Sequence, residues 1–93
     1  MTKITENTNV IKNQSLIESE IDGEKVMMSL ESGDYFGLDS IGTDIWKLIE
    51  NSIKVSDLID ILVTAYDVSR EKCSEDVINF LNQLYAHNLI IIE

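Results

Sequence analysis

One short segment constrains the fold of this chain more than any other, because it joins a strand directly to a helix. Residues 34–39 place three large apolar side chains around a single glycine, a composition that favours a strand whose backbone can be approached closely. Asp39 or Ser40 then supplies a cap for the helix that follows. Strand patterns precede this junction and helix patterns follow it, which predicts an α+β fold.

Two further strands are predicted before this junction. Residues 16–21 and 25–30 have strand character, and the Asp22-Gly23 pair between them tolerates the positive φ angles of a tight turn. A second turn at residues 32–34 leads into the third strand, residues 35–38. Three strands with two tight connections form an antiparallel meander, and we expect its third strand to lie at an edge.

Three amphipathic helices are predicted after the sheet. Apolar residues recur at helical spacing over residues 41–50, over residues 56–66, and from Ser69 to about Asn88. Ser56 is expected to cap the second helix. The third helix has an apolar face that is broader than packing on one side requires, and a final apolar segment closes the chain. The predicted architecture resembles a winged helix-turn-helix.

Composition disfavours several classes of function. The 93 residues include 17 acidic and 7 basic ones, a net charge of −10, which disfavours nucleic acid and anionic membranes as partners. The lone cysteine, Cys73, lies on the apolar face of the third helix, where a buried thiol is expected. The lone histidine, His87, falls in the last turn, where a cation favours the helix dipole. We therefore expect no enzyme, no cofactor and no metal site.

The ends of the chain complete the predicted organisation. Its polar start has no apolar run typical of a signal peptide, and residues 1–14 are expected to form a flexible tail. Residues 15–93 are expected to form one domain. The longest apolar run, residues 89–92, is too short to span a bilayer, so we expect a cytoplasmic protein.

Three interpretations of these elements remain open from the residues alone. A winged helix-turn-helix would place the third helix in DNA, but Arg70 and Lys72 are followed by the acidic Glu75 and Asp76. An extended peptide captured by strand addition would use the edge of the third strand, where Gly37 allows close approach. Alternatively, the apolar residues of the third strand and third helix only pack the core.

The ordered series of motifs resembles the pyrroloquinoline quinone biosynthesis D-protein family over residues 16–92. These proteins are precursor-peptide recognition elements for ribosomally made, post-translationally modified peptides. The length and the strand at residues 35–39 are most similar to the small leader-binding protein of split lasso-peptide systems, which work with a separate cysteine protease and an ATP-dependent cyclase. The motifs that carry the resemblance are residues 26–30, 33–39, 41–46, 55–58, 66–68, 76–81, 84 and 89–90.

The resemblance implies a winged-helix-like fold in which the third strand and the third helix bind a leader peptide as an extra antiparallel strand. We therefore expect a monomeric, non-catalytic protein that delivers the leader to the protease, with the cyclase as a further partner. The alternatives are service to a radical enzyme of another peptide pathway, or an acidic winged-helix regulator that acts by protein contact. The resemblance assigns the groove to Tyr35, Phe36, Gly37, Leu38, Asp76, Val77, Phe80, Leu81 and Leu84.

Overall fold

The computed structural model describes residues 3–93 and confirms the α+β, winged-helix-like class, with two small antiparallel sheets and three helices. The predicted meander is one of the sheets, and the predicted helices are all present. In chain order the elements are β1 (Asn9–Lys12), β2 (Leu16–Ile21), β3 (Glu24–Ser29), β4 (Tyr35–Gly37), α1 (Ser40–Leu48), β5 (Ile53–Lys54), α2 (Val55–Ala65), α3 (Arg70–Ala86) and β6 (Ile90–Ile92).

The meander consists of β2, β3 and β4, paired antiparallel in that order. Asp22 and Gly23 join β2 to β3 with φ angles of 53° and 84°, the positive pair that a two-residue hairpin turn requires. Within residues 3–93, β4 pairs with β3 alone, so the predicted edge position of this strand is confirmed. The free edge of β4 is the feature on which the functional site depends.

The second sheet, with strand order β5-β1-β6, is absent from the sequence-based predictions. Its central strand β1 lies within residues 1–14, which were expected to form a tail, and both Ile4 and Val10 are buried. The predicted boundary between tail and domain therefore does not match the fold; Met1 and Thr2 lie outside the described residues. The partners of β1 lie in the middle and at the end of the chain, so no local pattern reveals the pairing.

The start of α2 corrects a predicted cap. Lys54, and not Ser56, occupies the N-cap position, and its side chain makes no capping hydrogen bond. The backbone N–H groups of Val55 and Ser56 instead donate to the carbonyl oxygens of Thr8 and Glu6, at 2.8 and 2.9 Å. The segment before β1 thus satisfies the first donors of α2, a role that side-chain capping would otherwise perform.

The starts of α1 and α3 and the end of α3 agree with the predictions. Asp39 Oδ1 accepts a hydrogen bond from Gly42 N at 2.8 Å, and Ser69 Oγ accepts one from Lys72 N at 3.2 Å. Asn88 follows α3 with a φ of 59°, the left-handed conformation that ends many helices. Over residues 3–93, no helix has the length and apolar character needed to cross a membrane.

A carboxylate beneath the meander connects four elements. The Trp46 side chain has no exposed surface, and its Nε1 donates to Glu18 Oε1 at 3.0 Å. Lys12 Nζ donates to Glu18 Oε2 at 2.9 Å, and Lys25 Nζ lies 3.5 Å from Oε1. Burial opposes ionisation of Glu18, but the hydrogen bonds and the two lysine charges outweigh it and hold its pKa below the usual value. Glu18 therefore joins β1, β2, β3 and α1.

Candidate functional site

A groove runs between β4 and α3, and two hollows lie along it. The first hollow, of about 500 Å³, is bounded by the end of β4, the first turns of α1, the end of α2 and the first part of α3. The second hollow, of about 520 Å³, is bounded by β4, the last turns of α3 and Leu89. Gly37 and Leu38 on the strand side, and Phe80 and Gln83 on the helix side, line both hollows. These four residues mark the middle of the groove.

One edge of β4 carries backbone groups that no strand in the described part of the chain pairs. The Leu38 N–H donates to a β3 carbonyl at 2.9 Å, and the Asp34 carbonyl accepts from a β3 N–H at 3.0 Å. Because backbone groups alternate between the two sides of an antiparallel strand, Phe36 also faces β3. Tyr35 and Gly37 therefore turn their N–H and C=O groups away from β3. The open edge is a template for an added strand.

The strand residues predicted for the groove occupy two faces, as alternation requires. Phe36 is half-buried and Leu38 is buried, whereas Gly37 is exposed and Tyr35 is 74% exposed on the opposite face. The ring centroid of Phe36 lies 5.1 Å from that of His87, so the strand contacts the end of α3. The strand thus has apolar side chains on its buried face and unpaired backbone groups along the edge that points away from β3.

Some of the helix residues predicted for the groove line its hollows, and another is buried in the core between the helices. Val77 and Leu84 are buried and Phe80 is half-buried, and each of the three lines at least one hollow. Leu81 is completely buried and lines neither hollow, so it belongs to the core between the helices. The apolar face of α3 is broad because one part of it packs the core and another part forms the groove wall.

Polar chemistry in the first hollow is limited. Lys72 Nζ lies 3.2 Å from Asp76 Oδ1 at the exposed rim, and this hydrogen bond and the charge of Asp76 raise the pKa of Lys72. Cys73 is buried as predicted, and burial, reinforced by Asp76, raises the pKa of its thiol. A thiol held in its protonated form is a poor nucleophile. Among the described residues, no group of three acidic, cysteine or histidine side chains is placed to hold a metal ion.

Gly42, which the sequence analysis does not assign to the site, shapes the first hollow. A Cβ at this position would lie 3.2 Å from Phe80 Cζ and 3.3 Å from Leu38 Cβ, so both walls of the groove approach α1 closely here. A glycine inside a helix is a usable signal of such an approach, because it costs about 1 kcal/mol relative to alanine. The other lining residues that the groove prediction does not include are Asp39, Ile41, Ile45, Leu62, Tyr66, Val68, Lys72, Cys73, Gln83, Ala86, His87 and Leu89.

Comparison with known proteins identifies the family of this chain. The family described as coenzyme PQQ synthesis protein D (PqqD) matches residues 24–90, which span β3, β4 and the three helices. The solved structure "TbiB1 in Complex with the TbiA(beta) Leader Peptide" is similar, with a TM-score of 0.80 and 31% sequence identity over 86% of this chain and 93% of that chain. The comparison with curated proteins finds no match. The chain belongs to the coenzyme PQQ synthesis protein D family.

Proposed function

We propose that this chain binds the leader region of a ribosomally synthesised precursor peptide in the groove between β4 and α3. The observation that carries the proposal is the open edge of β4 beside an apolar groove wall. Tyr35 and Gly37 offer backbone donors and acceptors, and Val77 and Phe80 offer apolar contact. The similar protein TbiB1 is described in complex with a leader peptide, which supports the same use of the groove here.

In this proposal the leader extends the meander as an additional antiparallel strand. Backbone hydrogen bonds to β4 contribute about 1 kcal/mol each. Alternate leader side chains enter the hollows, and each buried apolar anchor contributes roughly 1.5–3 kcal/mol. Association and ordering of a disordered peptide cost on the order of several kcal/mol. The balance corresponds to micromolar or somewhat tighter binding.

We further propose that the chain performs no chemistry and acts by presentation. A bound leader holds the precursor beside a partner enzyme, which raises the effective concentration of substrate at that enzyme. In a split lasso-peptide system, the partners would be the leader protease and the cyclase. The buried, protonated thiol of Cys73 and the apolar lining of the groove support a binding role over a nucleophilic one.

The proposal is tested with a fluorescein-labelled leader of the precursor peptide encoded beside this chain, with a scrambled leader as control. Fluorescence anisotropy should show saturable binding at about micromolar concentration for the leader and none for the scrambled peptide. Mass spectra of the full precursor should stay unchanged after incubation with this chain alone. Absence of saturable binding contradicts leader recognition, and a mass change without a second protein contradicts the non-catalytic role.

Gly42→Ala should weaken leader binding while the fold persists. The added Cβ would lie 3.2 Å from Phe80 Cζ, which lines the first hollow, and 3.2 Å from Asp39 Oδ1, so these walls must shift slightly to admit it. We expect binding about fivefold weaker, which is about 1 kcal/mol, because the shifted wall changes the shape of the hollow that receives a leader side chain. Higher helix propensity offsets the strain in the free protein, so the melting temperature should change by only a few degrees.

Gly37→Ala is the matched control for this variant, because a Cβ at Gly37 meets no atom within 4 Å. Both variants are compared by anisotropy with the same labelled leader and by thermal melting. Equal affinities for Gly42→Ala and the parent would show that the first hollow does not receive the leader.

A further inference from the structure

A row of polar side chains on α3 forms the solvent-facing rim of the groove. At 100° per residue, Lys72, Asp76, Gln83 and His87 fall within one narrow arc of the helix, beside the apolar arc that contains Phe80. We call these four residues the polar rim; all of them are exposed. Lys72 and Asp76 pair with each other at one end of it. The Gln83 carboxamide makes no hydrogen bond to any residue in the described part of the chain.

Gln83 has a special position within the polar rim. It is the rim residue that lines both hollows, and Gly37 and Leu38 line the same two hollows from the strand side. A peptide that occupies the groove therefore passes between the free edge of β4 and the Gln83 side chain.

An added strand has backbone N–H and C=O groups along two edges, and β4 can pair with the groups along only one of them. On the other edge, every second residue of the peptide turns its N–H and C=O toward α3. Backbone groups that lose contact with water need new partners. The apolar arc of α3 offers none, so on this helix the polar rim is the source of protein partners for these groups.

We infer that the Gln83 carboxamide hydrogen-bonds the outer backbone edge of the bound leader. A carboxamide carries two donors and one acceptor, so it can pair with the C=O and the N–H of one leader residue, as a neighbouring strand would. This inference rests on the proposed leader-binding function and adds a second, helix-borne contact to it. Because backbone groups are common to all residues, the contact fixes the path of the leader without selecting its sequence.

The first test compares Gln83→Leu with Asn82→Leu. Both substitutions replace an exposed amide on α3 with leucine, but Asn82 lines neither hollow. With the labelled leader used above, Gln83→Leu should bind about tenfold more weakly, which corresponds to one or two lost hydrogen bonds. Asn82→Leu should bind within about twofold of the parent, and both melting temperatures should stay close to that of the parent.

A second test identifies the leader group that Gln83 contacts. Leader peptides are made with a single N-methyl group at successive positions of the docked stretch. In the parent, one outward-facing amide should be sensitive to N-methylation, and Gln83→Leu should lose that sensitivity, since the two changes remove the same contact.

The outcomes of the two tests are distinguishable. Failure of the parent to bind the leader overturns the proposed function and this inference together. Parent-like affinity of Gln83→Leu overturns only the inference. Weaker binding of Gln83→Leu with fully additive N-methyl effects also overturns it, because Gln83 would then contact a leader side chain.

Discussion

Gly37→Pro should weaken leader binding more than tenfold and leave the fold intact. The Gly37 N–H points away from β3, so the proline removes a donor that the folded chain does not use itself. Phe36 lies in a strand, the conformation that the residue before a proline prefers. The lost hydrogen bond contributes about 1 kcal/mol, and the ring also obstructs the approach of an added strand, so we expect a loss of more than tenfold.

Gly37→Ala separates the loss of the N–H from the presence of an added side chain. Alanine keeps the N–H, and its Cβ meets no atom of the described chain within 4 Å. Its affinity should stay within about threefold of the parent, since the hydrogen bond is retained. Anisotropy with the labelled leader and thermal melting are measured for both variants. If Gly37→Pro melts like the parent and binds the leader equally well, β4 is not the docking edge and the groove assignment is wrong.

Glu18→Gln should destabilise the fold more than neutralisation of a well-exposed carboxylate such as Glu20 does. The neutral amide leaves Lys12 and Lys25 without their shared carboxylate and weakens the acceptor for Trp46. Because the Glu18 side chain is 19% exposed, we expect a loss of about 1–3 kcal/mol in the free energy of unfolding, below the value for a fully buried pair. Urea denaturation at about pH 6.5 measures this difference.

The effect of Glu18 should disappear in acid. Its pKa is lower in the folded chain than in the unfolded chain, where the pKa of a glutamate is about 4.3. The carboxylate therefore contributes its full stabilisation above the unfolded pKa and loses it as the pH falls through the folded pKa. The gap in stability between the parent and Glu18→Gln should narrow from about pH 6.5 to about pH 3.

Glu20→Gln is the matched control on the same strand. Glu20 lies 3.4 Å from Lys47, and both side chains are largely exposed, so this pair should contribute less than about 0.5 kcal/mol. Two results would contradict the role assigned to Glu18. One is a cost for Glu18→Gln no larger than that for Glu20→Gln, and the other is a gap that persists unchanged in acid.

Local patterns predicted the parts of the fold that local interactions determine. The Asp22-Gly23 turn, the Asp39 cap and the left-handed Asn88 each depend on residues only a few positions apart. The β5-β1-β6 sheet and the cap of α2 depend on residues from distant parts of the chain. Ser56 has the chemistry of a cap, but α2 begins one residue earlier, at Val55, because the backbone carbonyls of residues 8 and 6 accept from the N–H groups of Val55 and Ser56.

The same distinction applies to the groove. Alternation along β4 separates Phe36 and Leu38 from Tyr35 and Gly37 but does not show which pair faces inward, and periodicity identifies the apolar arc of α3. Periodicity does not separate Phe80, which lines both hollows, from the neighbouring Leu81, which is in the core. That difference depends on how α3 sits against the other elements. Gly42 and Gln83 likewise belong to the groove only because α1, β4 and α3 come together around it.

The pairing of β1 with β6 has a consequence for how such a domain can be joined to other proteins. Val10 lies opposite Ile92, and Glu93 N donates to the Asn9 carbonyl at 2.9 Å, so the two ends of the fold leave the sheet side by side. A linker attached after β6 would therefore start beside the beginning of β1, whereas a linker at the other end would have to precede the buried Ile4 and the carbonyls that serve α2. A circular permutation that keeps the fold would therefore join β6 to the start of residues 3–8, and not directly to β1, with new ends in an exposed turn.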